Sequence, residues 1–394
     1  MKYLRWLLLP FSFLYWLVVI IRNWFYDAGV FKSTKFKIPV ISVGNLEVGG
    51  AGKSPMTEYL VRLLKNDPDS YRGKLAILSR GYGRKTKGFV EADLKAWNQE
   101  PEIRDEEISD HHSPFTVAPS PFTFNLSPLT NEIGDEPAQF KRKFPDVTVA
   151  VCEKRVQGIK KLLPGHNVII MDDAYQHRAV EPGLSILLFD YSRLNGPHWL
   201  LPAGNFREPF SGRWRAQFII ITKCPENLAA DEQAELVRRI KPLPYQQVFF
   251  TAIAYGQLRY LDGSHSDLVI DKGTTVFLLT GIANAKPLLA HLKTFTSCII
   301  HHNYPDHHAF TLKNIAKLAA EFLACTDQKK IIITTEKDSQ RLQQSWFNHS
   351  PTGAETLPVL VWPIHTVFLN GGGHRFNQLI MDYVREYSAI NGLY

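Results

Sequence analysis

From about residue 38 onward, the sequence carries short apolar runs that alternate with turns and with segments of helical period. Most runs are continuous stretches of Val, Ile and Leu without polar alternation, which is typical of parallel strands covered on both faces. We therefore predict an α/β protein built on a doubly wound, mostly parallel sheet. The predicted strands cover residues 39–43, 74–78, 147–151, 167–171, 185–189, 217–222, 247–253, 275–279, 297–301, 330–334 and 358–362.

Two segments interrupt this alternation. Residues 92–130 are rich in Asp, Glu, Ser and Pro, which predicts a surface insertion. The stretch RRIKPLPYQQ, 238–247, is the best candidate for a linker. We therefore expect an N-terminal helix (1–30), a nucleotide-binding core (31–242) and a second, smaller C-terminal α/β domain (243–394).

The strongest local motif lies between the first predicted strand and the helix after it. It reads VGNLEVGGAGKSP, and it keeps the Gly-Lys-Ser end of a phosphate-binding loop while Glu47 occupies the position of the first glycine. Downstream, apolar residues recur at helical spacing. A strand, a glycine turn and a helix N-terminus aim backbone N–H groups and the helix dipole at one point, as phosphate binding requires.

We interpret this motif as a variant P-loop, with a chance glycine cluster as the alternative. Its lysine supplies a cation for the β and γ phosphates, and its serine hydroxyl is suited to ligate Mg²⁺. The residues predicted to bind the nucleotide are Val48, Gly49, Gly50, Ala51, Gly52, Lys53 and Ser54.

Two adjacent carboxylates, Asp172 and Asp173, follow the strand predicted at 167–171. A carboxylate there is suited to hold Mg²⁺, directly or through water, and to neutralise charge on a transferring phosphoryl group. The alternative is a turn at the strand end, where Asp is common. Beside a P-loop we favour metal binding, with Asp172 as the ligand together with Ser54.

Further polar clusters lie at strand ends and helix starts, and each has a structural alternative. Arg80 belongs to a basic loop that either contacts phosphate or forms a solvated hairpin. Asp135 and Glu136 precede a proline that starts a helix, while Arg207 and Glu208 lie in a Gly/Pro-rich loop. From composition alone, both pairs are equally consistent with a functional site and with caps or turns.

The segment IIHHNYPDHHAF is rich in histidine. Adjacent histidines on a strand point to opposite faces, and neither cysteine nor an H-E-x-x-H spacing accompanies them, so zinc is disfavoured. We favour an Asp-His unit that orients a general base or contacts phosphate. Lys337 and Asp338, in IIITTEKDSQRL, either serve the site or cap a helix.

Net charge and cysteine usage give only weak indications of the partner and the cellular compartment. The net charge of +7 suits an anionic partner such as nucleic acid, nucleotide phosphates or an acidic membrane surface, and the excess is too small to rank these. The cysteines lie far apart without a C-x-x-C pair, which fits a reducing compartment. We therefore expect the soluble part to be cytoplasmic.

The N-terminus is the compositional anomaly, because residues 6–21 carry no charge and are flanked by Arg5 and Arg22. As a helix this run is about 24 Å long at ~1.5 Å per residue, short of the ~20 residues that span a bilayer comfortably. Pro10 is expected to start or kink the helix. Flanking cations and interfacial Trp and Tyr favour an inner-membrane anchor over a buried core helix or a secretory signal.

Taken in order along the chain, these motifs resemble the tetraacyldisaccharide 4'-kinase family, the membrane-bound lipid A 4'-kinases of Gram-negative bacteria. The matching stretches are VGNLEVGGAGKSP, LSRGYGRK, GDEP, VCEKR, DDAYQHR, LPAGNFREP, YPDHHAF and TTEKD. Each is weak alone, but the ordered set covers almost the whole chain. The sequence departs from the family in three places: Ala51 and Ser54 stand where the family has threonines, DDAYQ replaces DDGFQ, and LPAGNFREP replaces LPAGPLREP. These departures keep the polar groups that the chemistry needs.

The resemblance implies a P-loop NTPase-like kinase core over 31–242. It implies phosphorylation, with ATP and Mg²⁺, of the 4'-hydroxyl of the acylated glucosamine disaccharide 1-phosphate. The catalytic residues would be Asp135, which receives the sugar proton, a histidine of DHH, for which we choose His307, and Lys53. The cleft would be lined by Arg80, Asp173, Gln176, His177, Arg207 and Glu208.

The implied partners are the lipid A disaccharide 1-phosphate and inner-membrane lipids, without nucleic acid, and the oligomeric state stays open. The implied location is the cytoplasmic face of the inner membrane, in a peripheral or monotopic arrangement. One alternative is a membrane-associated P-loop ATPase or GTPase switch without a lipid acceptor, although the guanine-specific N-K-x-D is absent. A second is a non-catalytic membrane-tethered binding module, which would tolerate replacement of Lys53 and Asp135.

Overall fold

Strands and helices alternate from Val40 onward in the computed structural model, which describes residues 6–67, 74–94, 128–342, 345–348 and 357–391. Most of the insertion predicted at 92–130 lies outside these residues. The helices in the described ranges are α1 (Leu9–Asp27), α2 (Lys53–Lys65), α3 (Pro128–Ile133), α4 (Asp135–Lys143), α5 (Arg155–Leu162), α6 (Tyr191–Leu194), α7 (Ala230–Ile240), α8 (Lys286–Leu292), α9 (Leu312–Ala324), α10 (Glu336–Ser339), α11 (Ser345–Asn348) and α12 (Gly372–Ile390).

The strands form two sheets. In the described ranges they are β1 (Val40–Asn45), β2 (Leu75–Ser79), β3 (Val90–Glu91), β4 (Thr148–Val151), β5 (Val168–Met171), β6 (Leu184–Asp190), β7 (Phe218–Thr222), β8 (Gln247–Tyr255), β9 (Arg259–Tyr260), β10 (Thr275–Thr280), β11 (Ile299–Asn303), β12 (Lys330–Thr335), β13 (Val359–Trp362) and β14 (Ile364–Phe368). The larger sheet has the order β14-β8-β7-β6-β1-β5-β2-β4-β3, and the smaller has the order β11-β10-β12-β13-β9.

Pairing from β8 to β4 is parallel throughout, while β14 and β3 pair antiparallel at the two edges. This arrangement confirms the predicted α/β class with a doubly wound, mostly parallel sheet. All the predicted strands are present. Three further strands, β3, β9 and β14, carried no apolar run, because the first two have two residues each and His365 and Thr366 interrupt the apolar residues of β14.

The chain leaves the larger sheet after β8 and returns to it at its C-terminal end. We call the larger sheet with its helices the first lobe, and the five-stranded sheet with α8 to α11 the second lobe. Strand β14 pairs with β8, and Phe376 and Ile380 of α12 complete the core of the first lobe. The division expected at residue 242 therefore differs from the division between the sheets, because the edge of β8 is paired by a strand from the far end of the sequence.

Helix α1 rests on the first lobe by a narrow polar side and exposes most of its surface. It is long and apolar enough to cross a membrane, and only 11% of its apolar 18-residue segment is buried. Phe11, Leu14 and Val18 are 60%, 59% and 65% exposed, so α1 is not a core helix. Pro10 lies in its first turn, where the missing N–H costs no hydrogen bond.

Candidate active site

The P-loop occupies the turn between β1 and α2. Helix α2 begins at Lys53 and buries Met56, Leu60 and Leu64, in agreement with the predicted helical spacing. Gly49 and Gly52 have φ of +109° and +80°, a region that favours glycine, so these two positions shape the turn. The loop therefore directs the N-terminal end of α2 towards the carboxyl edge of the larger sheet.

Glu47, the residue at the first-glycine position, is held in a backbone pairing. It forms an antiparallel bridge with Phe206, and the Val48 N–H donates to the Asn205 carbonyl at 2.7 Å. The Glu47 side chain is buried, which raises the pKa of its carboxyl, and it lies 3.8 Å from Arg193. Since the chain passes through this position extended and not in a tight turn, the site has no need of a glycine here.

Side chains at or just after the ends of β6 and β7 hold the P-loop by hydrogen bonds to its backbone carbonyls. Arg193 donates to the Val48 carbonyl and Thr222 to the Ala51 carbonyl, each at 2.9 Å, and Lys223 donates to the Gly50 carbonyl. Lys223 also pairs with Asp190 at 2.8 Å. Sequence reasoning missed these contacts, because they come from two strands remote in sequence.

Asp172 follows β5 directly and is fully buried. Its Oδ1 accepts from the Thr57 hydroxyl at 3.0 Å, and its Oδ2 has no hydrogen-bond partner among the described residues. Burial, then the charges of Glu136 and Asp173, raise the pKa of Asp172 to about 7. A desolvated carboxylate oxygen without a donor matches what Mg²⁺ takes as a ligand, so the residues fit the ion.

Asp173 faces the P-loop lysine. Its Oδ1 lies 3.6 Å from the Lys53 ammonium and accepts from Arg207 at 3.0 Å. Burial alone would raise the pKa of Asp173, but these two cations outweigh burial and lower it. Its φ of +45° is strained for a residue with a side chain, which places a backbone outlier within the candidate site.

Asn45, the last residue of β1, links these groups and was missed from the sequence. Its Oδ1 accepts from Lys53 at 3.4 Å and from Arg207, and its backbone carbonyl accepts from Gln176 Nε2 at 2.8 Å. The signal that could have found it is its place at the carboxyl end of the strand before the P-loop, the edge at which ligands bind in such sheets.

His177 lies among cations. Burial, then the charges of Arg155 and Arg80, lower the pKa of His177 to about 4, so its imidazole is neutral near pH 7. Arg155 is buried and donates to the Cys152 carbonyl at 2.7 Å. The structure therefore brings the basic loop after β2 and the VCEKR motif to the side of the DDAYQHR motif.

Glu208 connects the LPAGNFREP loop to two arginines. It is fully buried, and its carboxylate pairs with Arg215 at 2.7 Å and with Arg22 of helix α1 at 3.4 Å. The Tyr15 hydroxyl of the same helix donates to the Arg207 carbonyl at 2.9 Å. Glu208 thus ties the LPAGNFREP loop to the N-terminal helix.

The expected Asp-His pair forms across the boundary between the lobes. Asp135 opens α4 in the first lobe, and its Oδ2 lies 3.3 Å from His307 Nδ1, which belongs to the second lobe. Lys337 Nζ lies 3.0 Å from His307 Nε2, and since an ammonium only donates, Nε2 accepts and Nδ1 carries the proton directed at Asp135. Arg341 Nε lies 3.5 Å from the same carboxylate.

The other histidines of the segment have separate partners. His308 Nε2 lies 3.1 Å from Asn314 Oδ1, which leaves His307 as the histidine next to Asp135. His301 contacts the Thr280 hydroxyl at 2.8 Å, and His302 pairs with Glu321 at 3.2 Å.

Phosphoryl transfer needs a phosphate cradle, a place for Mg²⁺ and a group that takes a hydroxyl proton. The described residues offer a candidate for each, and α4, which begins at Asp135, is joined to the P-loop helix where Gln139 Nε2 donates to Glu58 Oε1 at 2.8 Å. The fold and the site thus define a P-loop phosphotransferase. The family model described as Tetraacyldisaccharide-1-P 4'-kinase matches residues 4–106 and 115–385, and the chain belongs to this family.

Individual relatives agree with this assignment. The tetraacyldisaccharide 4'-kinase of Phocaeicola vulgatus is 40% identical, with 98% of this chain and 96% of the relative covered. That of Flavobacterium johnsoniae is also 40% identical, with 98% and 99% covered. The crystal structure of the "apo" form of LpxK from Aquifex aeolicus in complex with ATP matches with a TM-score of 0.66 and 28% identity, over 97% of this chain and 99% of that one.

Proposed function

We propose that the P-loop and Asp135 carry out the transfer of the γ-phosphate of ATP to the 4'-hydroxyl of tetraacyldisaccharide 1-phosphate, the reaction for which the family is named. The observations that carry this proposal are the Asp135–His307 contact and the Lys53–Asp173 contact at the P-loop. The hydroxyl oxygen bonds to the γ-phosphorus, and the bond from that phosphorus to the β–γ bridging oxygen breaks. ADP leaves, and the hydroxyl proton passes to Asp135.

The nucleotide side of the reaction rests on the loop and the start of α2. Val48 to Ser54 would hold the triphosphate through backbone N–H groups, and Lys53 would place its charge against the β and γ phosphates. Ser54 and Asp172 would hold Mg²⁺, which neutralises charge on the phosphates when it is bound. The buried Oδ2 of Asp172, which has no hydrogen-bond partner in the part of the chain that the structure describes, supports this assignment.

On the acceptor side, His307 would hold the Asp135 carboxylate in place.

On the nucleotide side, Asp173 and Arg207 would orient Lys53, since both belong to the hydrogen-bond network around Asn45. The other residues that we propose to line or support the cleft are Arg80, Gln176, His177 and Glu208.

The decisive test is incubation of the purified chain with ATP, Mg²⁺ and tetraacyldisaccharide 1-phosphate in detergent. We expect a bisphosphorylated lipid and one ADP for each lipid phosphorylated. ADP release without any lipid product, at a rate independent of the lipid, would replace this proposal with the hydrolytic switch. ATP binding with neither product would leave the non-catalytic module.

We further propose that residues 1–30 seat the enzyme on the cytoplasmic face of the inner membrane, that 31–242 supply the nucleotide side, and that 243–394 supply His307. The exposed apolar face of α1 supports the first assignment. Deletion of residues 1–25 should release the protein from membranes. Replacing Phe11, Leu14 and Val18 by serine should do the same while keeping the inward contacts of α1, and tight membrane retention of both variants would refute the anchor.

A further inference from the structure

Lys143, the last residue of α4, lies between two carboxylates from different parts of the fold. Its Nζ lies 2.7 Å from Glu58 Oε2 on α2 and 2.6 Å from Glu336 Oε1 at the start of α10. The side chains are 15%, 1% and 15% exposed, so the cluster is largely shielded from water. Charged hydrogen bonds in such surroundings are stronger and more demanding in geometry than exposed ones.

The remaining oxygens of the two glutamates are also occupied. Gln139 Nε2 donates to Glu58 Oε1 at 2.8 Å, and the Ile364 N–H donates to Glu336 Oε2 at 3.2 Å. Ile364 is the first residue of β14, at the point where the chain crosses from the second lobe back to the first. Lys143 therefore bridges the P-loop helix and the second lobe next to a crossing of the chain.

Both ends of helix α4 contact the second lobe. At the N-terminal end, Asp135 faces His307 and Arg341, and at the C-terminal end Lys143 holds Glu336. Lys337, the neighbour of Glu336, contacts His307 Nε2 at 3.0 Å. A shift of the second lobe at the Lys143 end would thus be transmitted directly to the pair at the Asp135 end.

We propose that Lys143 is a positioning residue, which fixes the second lobe against the P-loop helix so that His307 stays in contact with Asp135. This inference rests on the proposed roles of Asp135 and His307. It assigns to Lys143, Glu58 and Glu336 a function that the motifs alone did not give them. Lys143 lies outside the motifs, Glu58 lies on the helix after the P-loop, and Glu336 belongs to TTEKD without an assigned role there.

The kinetic test compares Lys143→Met with Lys143→Arg, and uses Lys141→Met as the matched control. Lys141 lies on the same helix, but among the described residues its Nζ donates to carbonyls of the first lobe, at Pro145 and Val147. We expect Lys143→Met to lower kcat on the order of tenfold to a hundredfold, as misplacement of catalytic groups by about 1 Å does, without changing KM for ATP. Lys143→Arg should retain most of the turnover, and Lys141→Met should match the parent.

A second measurement does not depend on activity. Spin labels on Cys298, which is exposed in the second lobe, and on a cysteine replacing Lys160 on the exposed side of α5 report the distance between the lobes, with Cys325 changed to serine. We expect a broader distance distribution in Lys143→Met than in the parent. The double variant Lys143→Met with Glu336→Gln removes one charge of each sign, and should show the same broadening if Lys143→Met alone does not fold.

The outcomes separate the two proposals. If Lys143→Met broadens the distance distribution while the parent chain makes no lipid product, the role of Lys143 stands and the kinase assignment of the site is rejected. An unchanged distribution, or a loss of kcat matched by an equal rise in KM for ATP, overturns the role of Lys143 while the kinase activity of the parent stands.

Discussion

The two sides of the candidate site are built in different ways. The centre of the proposed nucleotide side is one contiguous stretch, 43–65, in which a strand, a turn with two left-handed glycines and a helix N-terminus present backbone groups. The side chains that brace this stretch, such as Arg193 and Thr222, also belong to the first lobe. The proposed acceptor side joins Asp135 of the first lobe to His307 and Lys337 of the second through side chains. The nucleotide side is therefore held within one lobe, whereas the acceptor side depends on how the lobes are held together.

Among the substitutions that test this difference between the two sides, Asp135→Asn should have the largest effect on turnover. Removal of a group that takes a proton in the transition state should lower turnover on the order of 10³-fold. ATP affinity should stay at the parent value, since Asp135 belongs to the acceptor side. Steady-state kinetics and calorimetric titration with ATP check this, with Asp231→Asn on the exposed side of α7 as a control of equal charge change. Turnover near the parent value would remove Asp135 from the reaction.

Lys53→Met is the corresponding change on the nucleotide side. Loss of the cation that faces the phosphates should lower kcat on the order of 10²-fold and should also weaken ATP binding. Lys65→Met, at the far end of the same helix, is the matched control, because Lys65 pairs with Asp146 and lies over the Phe144 ring, away from the P-loop. If Lys53→Met left ATP affinity intact and lowered turnover alone, the proposed division between the two sides would be wrong.

Glu208→Gln tests the support beneath the nucleotide side. Loss of a buried carboxylate that pairs with Arg215 and Arg22 should lower the free energy of unfolding by about 2 kcal/mol. Urea titration of the full chain in detergent measures this quantity. Glu235→Gln, an exposed glutamate whose partners are both on its own helix, serves as the control and should change stability little. Equal stability of the two variants would mean that Glu208 is not a structural tie.

The smallest effect is expected from Arg22→Met. The Arg22 side chain is 37% exposed and its contact with Glu208 is 3.4 Å, so water screens the pair and the loss of stability should stay below about 1 kcal/mol. The same urea titration checks this value, with Arg22→Lys alongside to retain the charge. A loss as large as that of Glu208→Gln would show that helix α1 does more for the first lobe than hold it at a membrane.

Much of the fold was predictable from the sequence because its signals are local. The strands of the two sheet centres are uninterrupted apolar runs, and Met56, Leu60 and Leu64 mark the buried face of α2 by their spacing. Strand β14 was not predictable, since it is amphipathic and its hydrogen-bonding partner β8 lies more than a hundred residues earlier. The position of the chain's return to the first lobe follows from that pairing.

The candidate site likewise contains residues that local sequence predicted and residues that only the structure revealed. The P-loop and Asp172 stand out because each follows a recognisable strand, and the preference for His307 over His308 came from the family motif. The contact of His307 with Asp135 came from the structure, which pairs His308 with Asn314. Arg193 and Lys143 gave no signal in the sequence, because each acts through partners that only folding brings near. Asn45 has a signal only in its place at the end of the first strand, and its partners came from the structure.

The sequence by itself determined the α/β class and the family, and it predicts the phosphate cradle, because these depend on periodicity and on contiguous motifs. The tertiary structure decided why Glu47 replaces a glycine, since the pairing with Phe206 keeps that residue extended. It also decided which side chains stand opposite Asp135. Both depend on contacts between segments remote in sequence, whose distances are set by the packing of sheets and lobes and not by local preference.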